Sequence, residues 1–274
     1  MQNSGNSSPA TPRPTPHTDT FPTTPTRKRF ALAGRSHAFD PRVDAARGDL
    51  ADLRLADRLF APHYAAAMTR GVTQRTPVYA VIGGEQRSEV LMGETFDVLE
   101  LSRGYAWGVS PIDGAVGFVA IDALGPVVAP SHIVIGQGIP DLPMGSRIVG
   151  DQSFTEADVR PLDAPVEDFV HIAERLVGVP SVPGGRSGAG VDAGGLVFLS
   201  LSLAGIRVPR FVDLQATIGR AIGEDAPMLR GDLLFFDGEV AIATDETHAI
   251  RVADRVVQVP IADLGAISVR RRLP

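Results

Sequence analysis

The stretch from Gly184 to Gly205 holds the residue types and spacing with the most chemical consequence. A glycine-rich loop runs through Arg186 and Ser187 to Asp192. An apolar run from Leu196 to Ala204 follows, and Gly205 closes it. This predicts a buried helix with Ala193 near its N-terminus and Gly205 as its C-cap. The free N–H groups and macrodipole at a helix start favour negative charge, so a nucleophile or an anion fits there. A cysteine in that place would react as thiolate. Alanine has no reactive atom, and that absence governs how the rest of the chain is read.

The same residues resemble the active-site loop and helix of the NlpC family of cell-wall cysteine peptidases, papain-like enzymes that cut peptides of peptidoglycan. The family pattern is Gly-Gly, a short loop, then Asp-Cys-Ser-Gly-Leu-Val. Gly184, Gly185, Asp192, Gly195, Leu196 and Val197 match it, with Ala193 in place of the cysteine and Gly194 in place of the serine. The similarity continues at Leu203 to Ile206, Pro209-Arg210 and Asp213 to Gln215, then at Arg230 to Phe236 and Gly238 to Ile242. The resemblance puts Glu239 where the family carries its base histidine, and the His248-Ala249 pair at the third polar position. Ser181 falls where a tyrosine usually precedes the two glycines. The fold implied is α+β: helices packed on an antiparallel sheet, preceded by small all-β SH3-like barrels.

Thiol-dependent cleavage needs a nucleophile, a base and a group that orients the base. With Ala193, Glu239 and His248 at those positions, no catalytic residue is expected, and Ser187 reads as a solvated loop residue. Several departures at one site favour natural loss of the chemistry over a single inactivating change. Asp192, Arg186 and Ser181 remain as binding candidates on the loop. Trp107 and Tyr105 share one face of a strand and are candidates for ligand contact or for packing. No metal-ligand spacing is present, so neither metal nor cofactor is expected. Glu239 is expected to be solvated or to hydrogen-bond His248, and the latter pairing would raise the histidine pKa. The reading is a degenerate member that binds a peptidoglycan-type peptide or a protein partner. The alternative is an active hydrolase of γ-D-glutamyl peptides.

The elements that must position these residues follow from composition. A chain of 274 residues suggests two or three units. A net charge of -6 argues against nucleic acid as a partner. The absence of cysteine excludes disulfides and thiol chemistry. No run approaches the ~18 apolar residues of a membrane span. The first residues lack a signal-peptide pattern, so a cytoplasmic protein without membrane insertion is expected, with export by another route and self-association left open.

Residues 1–38, rich in Pro, Ser and Thr, are expected to be a disordered tail. Residues 39–67 read as a lead-in with a helical turn or two. Residues 68–128 alternate in short strands around Gly-rich turns and resemble a bacterial SH3-like domain. Residues 129–162 read as a shortened second SH3-like unit that must lean on a neighbour. Residues 163–274 form the peptidase-like domain. Asp163 is expected to cap its first helix with Pro165 in the first turn, ahead of the buried stripe Phe169, Ile172, Ala173 and Leu176. Strands are expected near 232–236, 240–244, 248–252, 256–259 and 266–271.

Overall fold

The lead-in folds back on the barrel and supplies one of its covers. In the computed structural model, residues 39–137, 139, 141–150, 153–164 and 168–273 are described, so the expected tail lies outside them. Strands β1 (Ala51–Asp52) and β2 (Tyr64–Ala65) pair in parallel. Asp52 caps the helical turn after β1, and Arg54 reaches from that turn to Asp97 at 2.9 Å.

The alternating stretch makes a seven-stranded antiparallel sheet. Its strands are β3 (Met68–Val72), β4 (Thr76–Tyr79), β5 (Gln86–Val90), β6 (Thr95–Ser102), β7 (Tyr105–Val109), β8 (Val116–Ala120) and β9 (Leu124–Gly125). The spatial order is β5-β4-β8-β7-β6-β3-β9. Val72, Val78, Val90, Phe96, Val98, Ala106 and Val119 fill one face. Trp107 points from the other face and is buried against Ala45 and Val116. The Arg47 guanidinium lies 4.3 Å from its ring centroid. Burial beneath the lead-in leaves Trp107 no room to be a ligand platform, which settles its role as packing. Tyr105 meets Tyr79 edge to face at 6.5 Å.

The next unit is three strands: β10 (His132–Val134), β11 (Arg147–Ile148) and β12 (Val159–Pro161), with β10 in the middle. Val134, Ile148 and Val159 form a small core of their own. Ile133, Ile135 and Met144 instead join the core of the C-terminal domain. The unit also hangs on the barrel, where Arg147 N–H donates to the Met92 carbonyl at 2.8 Å. A Cβ at Gly93 would lie 1.9 Å from the Arg147 carbonyl oxygen, so only glycine permits that approach.

In the C-terminal domain, α1 (Phe169–Arg175) is capped by Asp168, whose carboxylate accepts from Val170 N–H at 3.1 Å. The expected cap Asp163 stands five positions too early, and Pro165 lies outside the described residues. The hairpin β13 (Arg186–Ser187) and β14 (Gly190–Val191) leads into α2 (Ala193–Leu203). Helix α2 ends in a Schellman motif: Gly205 adopts φ 76°, its N–H donates to Ser202 and Ile206 N–H donates to Leu201. A short α3 (Val212–Gln215) precedes the sheet.

Strands β15 (Arg220–Ala221), β16 (Leu233–Phe236), β17 (Glu239–Ala243), β18 (His248–Val252), β19 (Val256–Pro260) and β20 (Val269–Arg272) pair antiparallel in the order β15-β20-β16-β17-β18-β19. Helix α2 is buried almost all round. Leu196, Val197, Leu199 and Leu201 pack with Leu233, Phe235, Val240, Ile242, Ile250 and Val252 on the sheet. The opposite sheet face carries Leu234, Phe236, Ala241, Ala243 and Ala249. The α+β class with an SH3-like region in front matches the expectation.

Arg186 is the joint between barrel and C-terminal domain. The residue is 1% exposed, and its guanidinium is bidentate on Glu94 of the barrel, at 3.0 and 2.5 Å. Asp113 approaches its Nε at 2.9 Å, and its backbone N–H donates to Glu89 at 2.8 Å. Burial works against the charge, but Glu94, Asp113 and Glu89 outweigh it and raise the Arg186 pKa. Arg186→Ala is therefore predicted to cost about 3–5 kcal/mol by stranding buried carboxylates. Urea unfolding at pH 7 measures this, and a loss under about 1 kcal/mol would contradict the role.

Candidate functional site

Asp192 is the N-cap of α2 and the residue that fixes the site. One carboxylate oxygen accepts from Gly195 N–H at 2.7 Å, and the other from Gly184 N–H at 3.0 Å. The buried guanidinium of Arg210 grips both oxygens, at 2.9 and 2.7 Å. Asp192 is therefore occupied by the protein itself, although it was a binding candidate by sequence. Its work is to hold the loop and the helix start together. Arg210 also reaches the barrel, where its Nε donates to Ser88 Oγ at 3.2 Å. Ser88 Oγ donates to Asp113 at 2.5 Å, and Asp113 meets Arg186. A continuous polar chain thus links the helix start to the domain joint.

The Arg210 loop also explains Gly194. Gln215 Nε2 donates to the carbonyls of Gly194 and Pro209, both at 2.9 Å, and draws the loop onto the first turn of α2. A Cβ at residue 194 would lie 2.7 Å from the Arg210 carbonyl oxygen. The serine of the family pattern does not fit this backbone.

A groove of about 550 Å³ opens at the start of α2. Ser181, Asp192, Ala193 and Glu239 line it together. The tight turn at Asp237-Gly238, with φ of 44° and 77°, sets Glu239 at the end of the β16–β17 hairpin. The other wall comes from the barrel and lead-in: Arg42, Glu85, Gln86 and Arg87. Sequence reading missed these four, because they sit about a hundred positions or more before Ala193 and only folding brings them near.

Arg42 is spoken for. Its guanidinium binds Asp40, at 2.7 Å in the closest contact, and Asp213 of α3, and it lies 4.7 Å from the centre of the Phe211 ring. The hydrogen bonds that Arg42 donates to Asp40, then those to Asp213, raise its pKa, and Arg42 in turn lowers both carboxyls. Arg42 therefore clips the lead-in to the C-terminal domain at the groove's edge.

Four candidates lie elsewhere. Arg186 is buried in the domain joint, and Trp107 is buried beneath the lead-in. His248 stands at the opposite end of the β17–β18 hairpin from Glu239. Ala243 pairs with Ala249 and Ile242 with Ile250, so the Glu239 end of β17 faces the far end of β18, and Val252 and Ala253 line the groove there. His248 instead meets Asp245 at 3.4 Å and Thr247 at 2.9 Å. The expected Glu239–His248 pairing is therefore corrected. The His-Ala pair matched by residue type, but it directly follows the turn at 244–247, at the end of the hairpin away from the groove. Tyr105 also lies outside the groove lining. Among the described residues, no group of three His, Asp or Glu side chains converges to hold a metal ion.

Chemically the groove offers a methyl at the helix start, a carboxylate opposite, and a hydroxyl on Ser181 with no hydrogen bond to Glu239. Gly194→Ser is predicted to destabilise by about 1–3 kcal/mol, through overpacking against the Arg210 carbonyl. Thermal unfolding measures this; an unchanged midpoint would show that the loop yields freely.

The comparisons agree with this geometry. Residues 178–263 match the model of the NlpC/P60 family, and residues 80–124 match that of the bacterial dipeptidyl-peptidase SH3 domain. The chain is 31% identical over 94 residues to the gamma-D-glutamyl-L-lysine dipeptidyl-peptidase of Bacillus subtilis (strain 168), covering 33% of this chain and 31% of that protein. It is 34% identical over 103 residues to the gamma-DL-glutamyl hydrolase of the same organism, covering 37% and 25%. The chain thus spans between a quarter and a third of the length of these curated relatives. The crystal structure of an NlpC/P60 family protein from Bacillus cereus ATCC 10987 resembles it with a TM-score of 0.63 at 16% identity, covering 76% of this chain and 100% of that one, a likeness of fold. The similarity is thus to an NlpC/P60 domain at residues 178–263, behind a stretch similar to a bacterial SH3 domain at residues 80–124.

Proposed function

We propose that the groove binds a peptide of peptidoglycan type and does not cleave it. The observation that carries this reading is the Ala193 methyl at the start of α2, on the groove floor, with Glu239 as the facing acid. In the family pattern those two places hold the cysteine nucleophile and the histidine base. Ser181 is the sole hydroxyl-bearing side chain among the described groove residues, and no base reaches it. Loss of a nucleophile lowers turnover by on the order of a million-fold. Binding needs none of these groups; it needs a formed cleft with polar walls, and the network from Asp192 to Glu94 keeps this one formed. The relatives' names, a γ-D-glutamyl-L-lysine dipeptidyl-peptidase and a γ-DL-glutamyl hydrolase, suggest the kind of peptide.

Incubation with a muropeptide containing γ-D-glutamyl-L-lysine tests the reading. No free amine above the buffer control is expected from the protein, nor from Glu239→Gln. Amine released by the protein and lost in Glu239→Gln would establish a working hydrolase. Ala193→Cys combined with Glu239→His is expected to give weak turnover at most, because Gly194 and Ser181 still depart from the family pattern.

A further inference from the structure

The proposal rests on the peptide-binding reading above and names what the groove recognises. Arg87 is the groove cation that the protein leaves incompletely paired. Arg42, beside it, is saturated by Asp40 and Asp213. Arg210, behind the floor, is taken by Asp192. Arg87 has no carboxylate within ion-pair distance among the described residues. Its Nη1 donates to the carbonyls of Val116 at 2.8 Å and Pro41 at 3.2 Å. Those two bonds aim a planar guanidinium while leaving its Nε and Nη2 donors without acceptors. Burial lowers its pKa by more than the nearby Asp40 and Glu85 carboxylates raise it. Its neighbour Gln86 also lines the groove, and the Gln86 side-chain nitrogen is buried with no hydrogen-bond partner. The buried Gln86 donor costs stability unless a ligand supplies an acceptor, and the Arg87 donors beside it are open to solvent and to a ligand.

We propose that Arg87, helped by Gln86, recognises a carboxylate of the bound peptide, so that the SH3 barrel reads the ligand's acidic group. A partly buried guanidinium with two free N–H donors matches a planar carboxylate. The groove argues against a phosphate or a polyanion, because Glu85 on the same wall and Glu239 on the facing one line it and would repel a second negative charge. A γ-D-glutamyl-L-lysine peptide carries two carboxylates that fit the description, the α-carboxylate of the glutamyl residue and the C-terminal one.

Isothermal titration of the full chain with three versions of that peptide tests the assignment: unmodified, amidated at the glutamyl α-carboxylate, and amidated at the C-terminus. One amidation is expected to weaken binding by on the order of 10-fold or more, the value of a charge-assisted hydrogen bond. The identity of that amidation tells which carboxylate is read. In Arg87→Gln the same pair of peptides is expected to bind alike. Equal binding of all three by the unaltered protein, within about twofold, or discrimination that survives in Arg87→Gln, would overturn the assignment. The first criterion needs no variant, so it stands even if Arg87→Gln folds poorly. Failure of every version to bind would overturn the peptide-binding reading and the assignment with it, whereas binding without discrimination overturns the assignment alone.

Discussion

A guanidinium removed from water is tolerated only where carboxylates surround it, and Arg186 meets that condition by drawing on a different domain. Two oxygens of Glu94 and one of Asp113, all from the barrel, enclose an arginine that belongs to the loop before α2. The desolvation of such a group is costly, and only close ion pairing offsets it. The geometry is therefore specific: the barrel has one seat on the C-terminal domain in which these charges are matched. The walls of the groove, drawn from both domains, inherit that fixed relation.

The charge cluster also reaches the helix start. Asp113 accepts from Ser88, Ser88 from Arg210, and Arg210 grips the Asp192 cap. The first turn of α2 is thus held by a chain of buried polar contacts, each with its partner on a different segment. This arrangement needs a close approach of the Arg210 loop, and Gly194 is what allows it. The departure at residue 194 is then part of the packing, in contrast to the one at residue 193, where the backbone accepts a side chain and the sequence supplies only a methyl. Arg42 makes a second, more exposed clip between lead-in and α3. It is the kind of surface pair that salt screens, and it contributes less.

Much of this was legible along the chain. The Gly205 terminus of α2, the five strands between Leu233 and Arg272 and the all-β character of 68–125 follow from local patterns, and the structure forms them with small shifts of boundary. Ala193 and Glu239 were legible as groove neighbours through resemblance. What failed depended on register or on other domains. His248 matched by type, but it directly follows the hairpin turn and so sits at the end of β18 away from the groove. Arg186 looked like a loop residue free to bind, since nothing nearby in sequence announces Glu94 or Asp113. Asp163 and Asp168 are equally good caps by composition, and only the packing of Phe169 onward selects the later one. Arg87 carries no local signal at all; its significance comes from the ion-pair contact it does not make among the described residues.

The account's central claim is occupancy without turnover, and one titration observes both. Amide spectra of ¹⁵N-labelled protein, recorded as a γ-D-glutamyl-L-lysine muropeptide is added and then over several days, report the groove while the peptide's own proton signals report its integrity. The account predicts saturable shifts at Ala193, Gly194, Gln86, Arg87 and Glu239, with the peptide signals unchanged at the end. Product resonances growing in with time, or a spectrum in which those residues do not move, would contradict it.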